Sequence, residues 1–313
     1  MDYESILHAV IPHYPMRVYD WKWTTPNSCL LITTYGHKLL RVDHNSARAV
    51  LRGQVLDALA QRGVRRVPRH IRTIYGDSEV RLDGYICTVS DQLRDRDIEL
   101  PKDALAAIYN LSVLHEALHD CTSEAHTAPK HTHVSEVMIH GLNVLAQIEE
   151  TCRREPLTPF AHLLIPNLSA VRERAHRNFH YAKAAGLLER ATQLSPQLIL
   201  GRYEPQSVAF TDLGRLATID FDEIGMGDWE MDVMSFCRSL YVRGFSKEIE
   251  RVLLEYGKHR STDADWQQRI VSVTSFPFYV IRIAQHYLAS EHHFEPVWRE
   301  RLLQALTGDS GKA

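Results

Sequence analysis

The 313-residue sequence predicts an α+β fold, a small strand-rich part followed by a larger, mainly helical one. Three observations carry this reading. From Arg17 to Trp23 polar and apolar residues alternate with period two, the pattern of a half-buried strand, and two further strand-like runs, Cys29 to Thr34 and His37 to Val42, flank the turn Tyr35-Gly36. From Pro101 onward, apolar residues recur at helical spacing, first at Leu105, Ile108, Leu111, Leu114 and Leu118. One stretch of the helical part, residues 198–236, breaks that spacing and reads as strand, loop, strand, turn, strand, loop and helix.

The elements follow in order. Residues 4–12 form a short apolar helix. Tyr19, Trp21 and Trp23 alternate with Asp20 and Lys22 in a strand over 17–23, and strands over 29–34 and 37–42 flank a hairpin turn at Tyr35-Gly36. A helix over 46–62 carries Val50, Val55, Leu56 and Leu59 on one side and stops at Gly63. Strands follow over 71–75 and 85–89. Residues 90–100 are charged and irregular, and Pro101 suits a first helical position. Residues 121–133 are a polar loop, and helices are expected over 135–152, 158–177 and 179–194. After the irregular stretch, helices are expected over 229–243, 246–258, 263–289 and 294–306, with residues 308–313 frayed.

Composition excludes several classes. An apolar fraction of 44% and a charged fraction of 24% describe an ordinary globular chain. A net charge of -3 supplies no general attraction to nucleic acid. No apolar run approaches the ~20 residues that span a membrane. The start, MDYESILHAV, lacks the basic and cleavage features of a signal peptide. The five cysteines form no CxxC pair, and reduced thiols in the cytosol are the simplest account.

The chemistry concentrates at Asp220 and Asp222. Ala217 to Phe221 reads as a short buried strand delivering both carboxylates near its end, after the turn Asp212-Leu213-Gly214. Carboxylates leaving a buried strand suit a metal that bridges to a phosphorylated ligand, or they cap turns.

At these residues the chain resembles the phosphotransferase enzyme family that includes aminoglycoside and choline kinases, and looks closest to its CotS branch, the kinase-like spore coat proteins. That family carries H-x-D-x-x-x-x-N, a hairpin and then an h-I-D-F/L-D segment, which Ile219-Asp220-Phe221-Asp222 matches. Phe276-Pro277-Phe278-Tyr279 resembles a late segment of the CotS branch. The resemblance implies a two-lobed protein-kinase-like fold with a small mixed β N-lobe over 1–90, a hinge over 91–100 and a large helical C-lobe over 101–313.

Carried over position by position, the loop departs from the family. The family His falls on Leu200, the catalytic Asp on Arg202 and the metal-binding Asn on Ser207, while Asp220 holds the family's metal-binding position. An Arg stays protonated and cannot act as a base. The strand Lys that meets phosphates falls on Arg41, and Lys38 lies three residues earlier on the opposite strand face. The following helix contains no Glu, and Arg52 and Gln54 occupy the partner's neighbourhood. The departures imply a catalytically degenerate kinase, a structural or interaction protein of the spore coat. It would be made in the cytoplasm, work with protein partners and need no cofactor. The alternative is an active phosphotransferase using Mg²⁺ and ATP, with Glu204 as substitute base.

A second motif competes. His115-Glu116-Ala117-Leu118-His119 matches H-E-x-x-H, a zinc hydrolase signature on a helix, with Glu136 or Glu149 as a candidate third ligand. Its usual extension fails at Thr122 and Ala125, and with 18 histidines in the chain a chance match is common enough to account for it. His126, His131, His133 and His140 form a His-rich segment that reads as a solvated loop running onto a helix. Arg62, Arg65, Arg66, Arg69 and Arg72 read as a solvated basic edge.

Overall fold

A computed structural model describes residues 3–44, 46–121, 128–154, 158–193, 195–290 and 295–311. The chain divides into two compact units. One comprises Met1–Ile98, Val113–Lys130 and Gln197–Met226; the other comprises Glu99–Ser112, His131–Pro196 and Gly227–Ala313.

The first unit begins with α1 (Tyr3–Val10), then β1 (Val18–Thr25), β2 (Ser28–Thr33), β3 (Gly36–His44), α2 (Ala47–Gln61), β4 (Val80–Leu82) and β5 (Tyr85–Asp91). The sheet runs β1-β2-β3-β5-β4, and every neighbouring pair is antiparallel, so the sheet is not mixed. The β2–β3 hairpin closes on Thr33 and Gly36, with Thr33 Oγ1 accepting the Tyr35 N–H at 3.1 Å and Gly36 at φ +82°. The Ser46 hydroxyl caps α2 by accepting from the Ala49 N–H at 3.2 Å. Alternate residues Cys29, Leu31, Leu40, Val42, Cys87 and Val89 point to one face and bury Ile6, Leu7 and Val10 of α1 against it.

The strand expected over 71–75 is absent. Thr73 Oγ1 accepts from the Tyr75 and Asp77 N–H groups and holds a turn through Gly76 at φ +90°. The pairing moves instead to β4, which three residues were too few to announce.

β6 (Arg96–Asp97) pairs with β8 (Val208–Phe210), and β8 pairs with β9 (Leu216–Thr218) across the turn through Gly214. Between them in sequence lie α3 (Ala104–Cys121), α4 (Val134–Arg154), α5 (Pro159–Ala184), α6 (Leu187–Gln193) and β7 (Gln197–Ile199). β10 (Gly225–Gly227) follows β9. The strand expected to reach Phe221 stops at Thr218, so Asp220 and Asp222 stand on the loop beyond it.

The second unit is mainly helical and adds α7 (Glu230–Val242), α8 (Ile249–Gly257), α9 (Trp266–Thr274), α10 (Phe278–Ala289) and α11 (Glu295–Asp309). α9 packs against α5 and α7, and α10 packs against α4 and α11. The break expected near residue 178 falls instead at Gly186, φ +82°, which ends α5. The helix expected over 263–289 is two helices parted by Phe276-Pro277, because Pro277 offers no N–H to continue the first. The end expected to fray does not do so over its described residues. Asp309 is fully buried, accepts the Val280 N–H at 2.9 Å and pairs with Arg238. No helix among the described residues is long and apolar enough to cross a membrane.

Candidate functional site

Charged residues from β3, α2 and the loop beyond β9 meet in the first unit. On β3, Arg41 and Asp43 lie two residues apart and share a face. On α2, Arg48 and Arg52 lie one turn apart and share another. Beyond β9, the loop presents Asp220, Asp222 and Glu223. Arg41 pairs with Asp222, and its Nε lies 3.7 Å from Asp43. Arg52, almost wholly buried, pairs with Asp43 and sets Nη1 3.4 Å from Asp222. Arg48 meets Glu223 at 2.6 Å. Two guanidiniums and two carboxylates thus alternate around a closed ring, with a third pair beside it.

Asp220 joins the network from the other side. Its Oδ1 accepts the Asp222 N–H at 2.9 Å, and its Oδ2 lies 3.3 Å from Arg202 Nη2. Burial alone would lower the Arg202 pKa, but the charge and hydrogen bond of Asp220, with Glu204 and Glu223 behind, hold it above its ordinary value. Ser207 is fully buried. Its hydroxyl donates to the Arg202 carbonyl at 3.5 Å and accepts the Glu204 N–H at 3.3 Å, so it serves the loop's own geometry. Its carbonyl accepts the Ile219 N–H at 2.8 Å, which ties this loop to the Asp220 segment.

The structure brings Arg41 to Asp222 and Arg202 to Asp220. Lys38 faces away from Arg41 and pairs with Asp91 at 2.8 Å. Sequence reasoning passed over Asp43, Arg48 and Glu223. The i, i+2 spacing of Arg41 and Asp43 and the i, i+4 spacing of Arg48 and Arg52 were the available signals.

A magnesium ion of the kind the resemblance implies needs several free oxygen ligands. Asp220 and Asp222 supply carboxylates, but both are engaged by arginines, and the Ser207 hydroxyl is turned into its loop. The donor set as arranged does not fit the ion.

The other motifs disperse. His115 is fully buried, while His119 is exposed with Nδ1 3.3 Å from Gln197 Oε1. Glu149 pairs with Arg153 at 2.6 Å and with Arg172. Among the described residues no three His, Cys, Asp or Glu side chains gather into a metal-holding group. His133 bonds Ser135 at 2.8 Å and His140 contacts Gln285, while His126 lies outside the described residues. Arg69 meets Asp91 and Arg72 meets Asp57, each at 3.1 Å, so part of the basic run is neutralised locally.

A second charged cluster lies inside the helical unit. Arg190 bonds both oxygens of Asp228 at 2.6 and 2.8 Å and stacks over Trp229. Arg269 bonds Glu230 at 3.0 Å and Asp263 at 2.9 Å. Three carboxylates thus share two guanidiniums. Glu230 is fully buried, and burial, with the Asp228 charge adding to it against the Arg269 bond, pushes it up to about 7. Burial would also raise Asp228, but the facing His133 and the bonds from Arg190 outweigh it and hold it at about 2.

Comparison with known proteins agrees with this architecture. An aminoglycoside phosphotransferase from Alicyclobacillus acidocaldarius superposes with a TM-score of 0.81 at 16% identity, over 97% of this chain and 92% of that one. An AMP-bound spectinomycin phosphotransferase gives 0.68 at 11% identity, over 99% and 98% of the two chains. An amicoumacin kinase in complex with AMP-PNP and Ca²⁺ gives 0.62 at 12% identity, over 96% and 93%. At these identities the likeness speaks for the fold, a kinase-like one with a small antiparallel-sheet lobe and a mostly helical lobe. No curated protein sequence matches the chain significantly. The sequence pattern of the phosphotransferase enzyme family matches residues 22–269, most of the chain, and the protein belongs to that family.

Proposed function

We propose that the protein is a catalytically degenerate member of its family, which acts by binding other proteins rather than by transferring phosphate. The observation that carries this reading is the Arg202–Asp220 pair at 3.3 Å. In the family pattern an Asp stands at the position of Arg202 to orient the attacking hydroxyl, and the position of Asp220 holds the metal. Here a permanent cation replaces the base and occupies the metal's carboxylate. Arg41 and Arg52 repeat the substitution around Asp222. The positive charge that metal and lysine would bring to phosphates is thereby neutralised within the protein. The resemblance to the CotS branch supports a place in the spore coat, with protein partners and without nucleic acid.

The test is thermal unfolding with and without Mg²⁺-ATP. A nucleotide bound at metabolic concentrations raises the midpoint by mass action. The expected result is no shift and no phosphate transfer to sugars or amino alcohols.

A second reading is an active phosphotransferase. It is favoured by the retention of Asp220 and Asp222 and by solved relatives whose complexes contain AMP or AMP-PNP. ATP-dependent transfer that disappears in Asp220→Ala supports this reading and removes the first.

A further inference from the structure

β1 is an edge strand, since among the described residues it pairs in the sheet with β2 alone. It is long, eight residues, and solvent reaches nearly all of it. Tyr19 and Trp21 are 59% and 43% exposed, unusual for aromatics on an open edge. Its regular run covers Asp20, Trp21, Lys22 and Trp23, bounded by register shifts on either side.

The closing pair of the β2–β3 hairpin, Thr33 and Gly36, is hydrogen-bonded, so Thr33, Leu31 and Cys29 direct their backbone groups toward β3. Leu30 and Ile32 then bond β1 through Lys22 and Asp20, and the backbone of Trp21 faces the open side. In agreement with this, the Trp21 N–H donates to the carboxylate of its own neighbour, Asp20, at 2.8 Å. Asp20 closes the edge of the single chain. The Lys22 ammonium has no carboxylate partner among the described residues.

We propose that β1 is a docking edge for a second copy of this chain, paired antiparallel about a two-fold axis at Trp21. That register sets Trp21 opposite Trp21 of the second copy, with their backbone groups in the hydrogen-bonded arrangement. It sets Asp20 opposite Lys22, Lys22 opposite Asp20, and Tyr19 opposite Trp23. Asp20 leaves the Trp21 N–H, which gains a carbonyl across the interface, and its carboxylate takes the ammonium it now faces. Opposite charges and aromatic pairs directly across strands are the favourable cross-strand contacts. A register with Asp20 opposite Asp20 sets like charges together. The flanking irregularities confine the pair to its central residues, so association depends on concentration. The proposal is independent of whether the arginine network permits catalysis.

Sedimentation of the full chain from micromolar to submillimolar concentrations tests it, with four samples beside the wild type. Asp20→Lys sets Lys opposite Lys, and Lys22→Asp sets Asp opposite Asp, so each alone associates about tenfold more weakly or worse. An equimolar mixture of these two variants restores a dimer containing one of each, because every cross-strand pair is then complementary. The doubly exchanged chain, Asp20→Lys with Lys22→Asp, restores the homodimer. Restoration also shows that the single variants are folded. A wild type that stays monomeric throughout overturns the proposal. So does a wild-type dimer that both single variants form equally well.

Discussion

Arg202 and Asp220, eighteen residues apart, meet at 3.3 Å, with the donor on the loop before β8 and the acceptor on the loop after β9. The hairpin between them sets the distance, and the Ser207 carbonyl to Ile219 N–H bond holds its base. On the proposed reading the pair stands where the family's base and metal would stand, and mutation tests this. Arg202→Asp with Ser207→Asn removes one guanidinium and adds two oxygen ligands. In thermal unfolding the double variant is expected to gain a shift with Mg²⁺-ATP that the wild type lacks. Phosphate transfer stays low, because Arg41 has no Glu partner on α2.

The arginines around Asp222 differ in burial, and so in their effect on stability. Arg52 is almost fully buried between Asp43 and Asp222, while the Arg48 and Glu223 side chains are 36% and 42% exposed. Removing one partner of a buried ionic group costs about 3 kcal/mol or more. An exposed pair contributes below about 1 kcal/mol. Urea denaturation of Arg52→Ala and Arg48→Ala is expected to separate the two by these amounts.

Glu230 makes folding pH-dependent. Its pKa is raised from the ordinary 4.5 to about 7, so in that window the folded state retains a proton that the unfolded chain releases. Its contribution is complete below about 4.5 and is lost as pH rises through 7. Asp228 has the opposite sign: its contribution is present above the ordinary 3.8 and is lost as pH falls toward 2. Unfolding midpoints recorded across this range should decline less between pH 4.5 and 7 in Glu230→Gln than in the wild type.

The H-E-x-x-H segment is expected to hold no stoichiometric zinc. Its buried His115 and exposed His119 gain no third ligand among the described residues. Elemental analysis is the check, and one zinc per chain lost on His119→Ala would falsify this.

Much of the architecture was legible in the sequence. Period-two alternation at Tyr19, Trp21 and Trp23 marked β1, and helical spacing from Leu105 marked α3, because strands and helices must each bury one side. The Ile219-Asp220-Phe221-Asp222 match located the candidate site. Boundaries were less legible where backbone and side-chain bonding competed with pattern. Thr73 turned an apolar run away from the sheet, and Gly186 and Pro277 set helix ends that apolar spacing does not mark.

The sequence by itself determined the fold class and most of the order of its elements, and through the family resemblance it marked the departures at Arg41, Arg202 and Ser207. Only the tertiary structure decided which carboxylate each arginine takes. Arg52 reaches Asp222 across 170 residues and Asp43 across nine. No periodicity encodes such a pair, because an ionic contact depends on where three separate elements end in space. Asp309 makes the same point at the end of the chain. An acid in a polar tail reads as solvated, and it is buried because Arg238 and the Val280 N–H converge where α11 brings it.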